Sequence, residues 1–227
     1  MKLPEPDSKA AVVEAMFDRI APRYDLMNRL MTFGLDRRWR REAINALQAP
    51  RGALVVDLGC GTGDLCAEAV RAGCRALGVD FSARMIDIAA FRKIACELIR
   101  ADASKLPLRE GSADAVVSGF ALRNFVDLAA VFRECYRVLK PCGKISFLEV
   151  DTPSSPLLRF GHRVFFNHVV PQIGKFVDRY AYAYLPSSVA YLPCEERLME
   201  MLRAVGFRSI AKRRLMGGAV QLVTALR

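Results

Sequence analysis

Between Val55 and Leu65 the chain reads Val-Val-Asp-Leu-Gly-Cys-Gly-Thr-Gly-Asp-Leu, so Gly59, Gly61 and Gly63 alternate directly after a short apolar run carrying Asp57. Glycines at this spacing let a backbone turn sharply and come close to a ligand, because no Cβ obstructs the approach. Set between a strand and a helix start, they make a nucleotide-shaped pocket. The dinucleotide fingerprint is G-x-G-x-x-G, whereas this loop is G-x-G-x-G with an acid just upstream. That acid repels a pyrophosphate and attracts a cationic amino-acid group. Two further acids, Asp80 and Asp102, fall at the ends of predicted strands on the same edge. Asp80 follows at about the 20-residue spacing of a ribose-binding acid and can accept from two ribose hydroxyls. Asp102 can accept from an exocyclic adenine amine while the Ala103 amide donates to a ring nitrogen. Gly59 and Gly61 admit the amino-acid part, and Thr62 offers a hydroxyl. A lone aspartate is most often a helix cap or turn residue. Three in register with a glycine loop form a site.

Positioning these groups requires alternating strands and helices. Ala53–Asp57, Arg75–Asp80, Cys96–Arg100, Asp114–Ser118 and Lys144–Val150 read as strands. Helices are expected over Thr62–Ala72, from Ser82 as cap to about Lys93, and over Asp127–Leu139. Repeated alternation of this length argues for a parallel sheet whose ligand sits at the carboxyl strand ends. A helix over Glu195–Val205 precedes two last strands, Phe207–Leu215 and Ala219–Leu226, with Gly217-Gly218 as a tight hairpin turn. Before the first strand, residues 8–48 read as short helices forming a lid over the glycine pocket. Ser8 is their expected first cap, and Asp36 the cap of the helix holding Arg37-Arg38-Trp39-Arg40-Arg41. Four arginines around one tryptophan suggest either a nucleic-acid patch or a solvated face with Trp39 packed inward, and the second is the commoner outcome. Residues 151–192 break the alternation with an aromatic-rich insertion that includes Phe160, Phe165, Phe166, Tyr180 and Tyr191 among interspersed Arg and Lys.

Composition narrows the classes further. At 227 residues, just over half of them apolar, the chain is expected to form a single domain, 1–227, with a substantial core. Lys and Arg total 34 against 24 Asp and Glu, a net charge of +10 suited to nucleic acid, an anionic membrane surface or simple solubility. Seven cysteines without a C-x-x-C pair, and two histidines, lack any zinc or iron–sulfur spacing, so no metal is expected and reduced cytoplasmic thiols are. The polar, proline-bearing start is not a signal peptide, and no uncharged apolar run reaches spanning length.

The glycine loop resembles the first motif of S-adenosylmethionine (SAM)-dependent methyltransferases. Four other stretches resemble one family among them, the ubiquinone/menaquinone-biosynthesis C-methyltransferases. These are Met16–Asn28, Phe33–Arg40, Leu122-Arg123-Asn124 and the closing Gly217-Gly218 segment. The match runs through nearly the whole chain in order. It implies a Class I, Rossmann-like α/β fold: a seven-stranded sheet, mostly parallel, ending in an antiparallel hairpin. It further implies SAM as cofactor, with Thr62, Asp80, Asp102 and Ala103 as contacts, and methyl transfer to a ring carbon of a prenylated benzoquinol or naphthoquinol. Two departures are visible. The stretch between Ser82 and Asp102 is several residues short, and Gly119 stands where the family often has a serine.

C-methylation of such a ring needs an aligned attack and an electron-rich carbon, which ionisation of the neighbouring hydroxyl provides. Arg123, after the fourth strand, is the expected catalytic residue. As a guanidinium it stabilises a quinolate rather than taking a proton. Its alternative is a structural ion pair with an acid such as Asp127. His162 and His168 are alternative bases, and Tyr24 is a residue that closes the site from the lid. The 151–192 insertion suits a mouth for the prenyl tail, a peripheral contact with an anionic membrane at its inner face, or a homodimer surface. Two other functions compete: methylation of another small hydrophobic or phenolic acceptor, and RNA binding on the same fold. No recognised RNA motif is present, so nucleic acid is not an expected partner.

Overall fold

The computed structural model describes residues 4–153, 155–165, 172 and 178–227. In it β1 (Leu54–Leu58) has β2 (Arg75–Asp80) and β3 (Glu97–Arg100) on one side. On the other side lie β4 (Ala113–Gly119) and β5 (Leu139–Val150), and all five strands are parallel. β7 (Val220–Leu226) runs antiparallel between β5 and β6 (Arg208–Leu215), giving the order β3-β2-β1-β4-β5-β7-β6. This is the seven-stranded, mostly parallel sheet with an antiparallel C-terminal pair that the strand pattern predicts. The chain steps outward from β1 through β2 to β3 and then crosses back to β4, so a crevice opens at the carboxyl ends of β1 and β4.

The central strands form because both of their faces are covered. Successive side chains alternate between faces, and the core divides accordingly. Val56, Leu58, Val116, Phe147 and Val223 pack into one cluster, and Val55, Val117, Leu148 and Leu222 into another. The helices supply the covers. They are, in order, α1 (Pro6–Ile20), α2 (Tyr24–Met31), α3 (Asp36–Leu47), α4 (Asp64–Arg71), α5 (Ala83–Phe91), α6 (Leu128–Val138), α7 (Pro156–Val164), α8 (Arg179–Ser188) and α9 (Glu195–Val205). α6 and α9 cover the first cluster, where Phe132 stacks on Phe147 with centroids 5.7 Å apart. α3 and α4 cover the second, with Trp39 buried in it as the solvated-face reading expects. A third, smaller cluster lies off the sheet, where Met16 and Ile20 of α1 and Met27 of α2 meet Ala181 and Tyr184 of α8. Among the described residues no helix is long and apolar enough to cross a membrane.

Local chemistry moves several expected boundaries. α1 starts at Pro6 with Glu5 as its N-cap, because proline is preset for a first helical position; Ser8 instead donates its hydroxyl to the Glu5 carbonyl. Asp36 is the first residue of α3 rather than its cap, and its carboxylate accepts from Thr32. α4 begins two residues late because Gly63, at φ +87°, is still in the turn. β5 starts at Leu139, which pairs with Ala113 before the register shifts to Ala115–Lys144. Phe166 and His168 of the insertion, and the side chain of His162, lie outside the described residues.

Candidate active site

The glycine loop leaves β1 at the crevice. Gly59 and Cys60 both donate their amides to the Val79 carbonyl, at 2.8 and 3.1 Å, which pins the loop to the end of β2. At Gly59, φ is +65° and a Cβ would stand 2.6 Å from the Ala121 Cβ, so only glycine fits. The Gly61 amide donates to Asp80 Oδ2 at 2.7 Å and the Ser82 amide to Asp80 Oδ1 at 2.9 Å. Asp80 is thus fixed by two backbone donors, and each of its oxygens keeps a further lone pair. Burial raises its pKa, against the pull of those amides.

Gly59, Gly61, Asp80, Asp102 and Ala103 all line one cavity of about 490 Å³. Its roof comes from the N-terminal helices through Val13, Phe17 and Tyr24. Asp102 is exposed, with Oδ1 accepting the Ser104 amide at 2.8 Å, and Ala103 is buried beside it. Thr62 does not reach this cavity. It is buried, and its hydroxyl donates to Asp25 Oδ1 of α2 at 2.6 Å. Asp57 also lies behind the wall: Oδ2 accepts from the Cys66 thiol at 3.4 Å and the buried Oδ1 has no partner. Desolvation pushes the Asp57 carboxyl up to about 7.

Polar contacts fasten the N-terminal helices to this edge. Ser82 donates to Asp18 at 2.5 Å, Arg100 to Glu14 at 2.9 Å, and Lys9 to the Phe125 carbonyl at 2.6 Å. Arg92 joins three groups, reaching Asp64 and the Thr62 carbonyl at 2.7 Å and Asp25 at 3.4 Å.

A second cavity, of about 590 Å³, abuts the first and shares Phe17, Tyr24 and Phe120 with it. Its walls are mostly apolar, with Met31, Trp39, Val150, Leu158 and Met216 among them. Arg123 opens onto this cavity and not the first. Its guanidinium is buried, bonded through Nη1 to Glu149 and through Nε to Ser188 Oγ at 3.2 Å. The Asp127 partner offered by the sequence is not used; that carboxylate caps α6 by accepting the Ala130 amide at 2.9 Å. Tyr24 stands at the junction of the two cavities. Burial raises its pKa, while Arg40, a hydrogen bond with Asn28 and Arg123 pull it down. Phe120, at the same junction, holds φ +60°, a strained value for an aromatic residue. Its amide bonds to the Leu148 carbonyl at 2.7 Å, and its ring meets Trp39 edge-on at 6.4 Å.

Glu149 and Phe120 escape a reading by residue type, although Glu149 carries a signal. It is an acid in the apolar run Ile145–Val150, at a carboxyl strand end like Asp57 and Asp80.

Comparison with known proteins adds independent findings. The profile described as the ubiE/COQ5 methyltransferase family matches residues 5–227. A demethylmenaquinone methyltransferase of Roseiflexus sp. (strain RS-1) is 40% identical over 231 residues, covering 99% of this chain and 97% of the relative. A ubiquinone/menaquinone biosynthesis C-methyltransferase of Syntrophotalea carbinolica is 39% identical, covering 93% and 92%. Among solved structures, a SAM-dependent methyltransferase of Thermotoga maritima superposes with a TM-score of 0.64 at 21% identity, covering 94% of this chain and 99% of that one. The sheet described above is the fold of that enzyme class.

Proposed function

This chain belongs to the ubiE/COQ5 methyltransferase family and is a SAM-dependent methyltransferase of quinone biosynthesis; from that premise we propose that its acceptor is a prenylated demethylnaphthoquinol or the corresponding benzoquinol, bound in the second cavity. The observation that carries this reading is the pair of abutting cavities. One suits a nucleoside and an amino acid, the other is mostly apolar with the buried Arg123 opening onto it, and the two share Phe17, Tyr24 and Phe120.

The residues present fit SAM. The Gly59 cradle leaves no room for a Cβ, Asp80 presents free lone pairs, and Asp57 keeps an unpartnered buried oxygen. Asp80 would hold the ribose hydroxyls, Asp102 and Ala103 the adenine edge, and Gly59 and Gly61 the methionine part, with the charge of Asp57 behind it favouring the ammonium. Thr62 would act indirectly, through the Asp25 bond that fastens α2 to the loop. When bound, SAM supplies an electrophilic methyl. Arg123 would donate to the ring oxygen next to the methylated carbon and stabilise it as quinolate. Glu149 and Ser188 fix that guanidinium, and the apolar walls keep competing water away. Residues 8–48 would act as the lid, and the 151–192 insertion as the wall over the acceptor.

A membrane face supports the same reading. Phe33, Leu157 and Met216 line the second cavity and are exposed, and Leu26 and Leu30 of α2 and Phe160 of α7 are exposed as well. α7 carries exposed Arg159 and Arg163 and no acid, which suits an anionic lipid surface. Sedimentation with vesicles should depend on anionic lipid and weaken in Leu26→Ser/Phe160→Ser. Binding indifferent to anionic lipid would remove the membrane claim, and a dimer broken by the same variant would give this face to a second copy. For the activity itself, the protein should add one methyl to a ring carbon of a demethylated prenyl quinol, read by mass spectrometry. No transfer under reducing conditions with SAM bound would overturn the proposed acceptor.

A further inference from the structure

We infer that Asp36 and Arg40 form a second polar pole of the acceptor cavity, which reads the ring hydroxyl para to the one held by Arg123 and so selects a 1,4-dihydroxy arene in its reduced form. The inference rests on the acceptor reading above. Both side chains line the second cavity although they are almost fully buried, Asp36 at 1% and Arg40 at 6% exposure. Asp36 Oδ1 accepts from the Thr32 hydroxyl at 3.0 Å, but Oδ2 is buried without a hydrogen-bond partner. Arg40 Nε is likewise buried and unbonded. Their ionic neighbours stand too far for hydrogen bonds: Arg40 Nη2 is 3.7 Å from Asp36 Oδ2, and Nε is 3.5 Å from Asp64 Oδ2. A buried carboxylate oxygen and a buried guanidinium N–H on neighbouring side chains, each without a hydrogen bond, are costly unless a ligand fills them.

What fills them must both give and take a hydrogen bond. A phenolic hydroxyl does both at one atom, donating its proton to Asp36 and accepting from Arg40. The remaining polar groups of the cavity complete the picture. The Tyr24 phenol feels both Arg40 and Arg123, so the two guanidinium groups address one space, and Trp39 and Phe120 flank the Arg40 end with flat apolar surface. A ring lacking the second hydroxyl leaves Asp36 and Arg40 open. An oxidised quinone satisfies Arg40 but turns a carbonyl oxygen toward the Asp36 carboxylate, which has no proton to receive. The pole therefore rejects the oxidised ring at the binding step, before any chemistry.

Trp39 is the sole tryptophan of the chain and lines this cavity, so its fluorescence reports occupancy. Three short-tailed probes should be titrated: a prenylated 1,4-naphthoquinol, its 4-deoxy analogue and the matching quinone. The wild type should bind the quinol about 10- to 100-fold more tightly than either other probe, the span expected for hydrogen bonds to charged groups. Asp36→Asn, which offers an amide N–H, should recover the quinone while SAM affinity by calorimetry stays at the wild-type value. Asp36→Ala should bring all three probes to within about threefold of one another. Equal binding of the three by the wild type would overturn the inference alone. So would an equal loss of all three, with weakened SAM binding, in both Asp36 variants. A wild type that binds SAM and none of the probes would instead overturn the acceptor reading.

Discussion

Removing Glu149 should cost far more than the loss of one hydrogen bond. Its carboxylate takes the Arg123 side chain at Nη1, the Arg123 amide at 3.3 Å and the Val150 amide at 2.8 Å, and both charged groups are almost fully buried. Glu149→Ala leaves a desolvated guanidinium without its counter-charge, which costs about 3–5 kcal/mol. In a chain of this size that lowers the melting temperature by about 6–20 °C. Glu149→Gln keeps the shape and one acceptor and should fall between the two. Removing both charges, as in Arg123→Met/Glu149→Leu, should restore most of the lost stability, because apolar groups of similar volume replace a buried pair at little cost. That double variant should bind SAM normally by calorimetry and transfer no methyl. The assay is therefore a thermal melt alongside calorimetry and turnover for all three proteins. A Glu149→Ala melt unchanged from wild type would show that the pair is not desolvated. A double variant as unstable as the sum of its parts would show that Arg123 and Glu149 do not act on each other. Either result refutes the argument that this pair is what holds Arg123 in place.

Four further outcomes follow around the glycine loop. Asp80→Ala should weaken SAM binding by about 100-fold or more in calorimetry, because it would remove the acceptor proposed for the ribose and would free the Gly61 and Ser82 amides at once. Asp57, with its carboxyl pushed up to about 7, should make SAM binding weaken as pH falls from about 8 to 6, with proton release on binding near neutrality, read from heats in buffers of different ionisation enthalpy. For the ligand-free protein the sign is reversed. A raised carboxyl contributes stability that is fully present below its unfolded value and lost as pH rises through about 7, so Asp57→Asn should raise the melting temperature most above that pH. Gly59→Ala meets Ala121 at 2.6 Å from a left-handed backbone and should cost about 2–4 kcal/mol in chemical denaturation, with SAM binding lost.

The parts of the site legible in the sequence are those fixed by backbone geometry. Gly59 and Gly63 declare positive φ, β1 declares burial on both faces through the adjacent apolar residues Leu54, Val55 and Val56, and Asp80 and Asp102 declare themselves as acids where strands stop. What stayed hidden depends on partners distant in the chain. Nothing near Arg123 names Glu149, which follows 26 positions later in β5. Thr62 offered a hydroxyl that Asp25 of α2 takes. Asp36 looked like a helix cap, and only the closing of α2, α3 and Phe120 around it shows a carboxylate with one oxygen left open. Strain at Phe120 is equally silent, since an aromatic residue gives no hint that packing will force φ to +60°.

The place of β7 in the sheet has a consequence in time. It is the strand made after all the others, yet it is the one that joins β5 to β6. A chain emerging in order can assemble its nucleoside pocket from β1 and β2 while the open edges of β5 and β6 still wait for a neighbour, exposed to wrong pairing. Gln221 of β7 sits opposite Glu149 and bonds the Val150 carbonyl at 3.1 Å. The stretch of β5 that holds Glu149 is therefore braced on this side only when synthesis reaches β7.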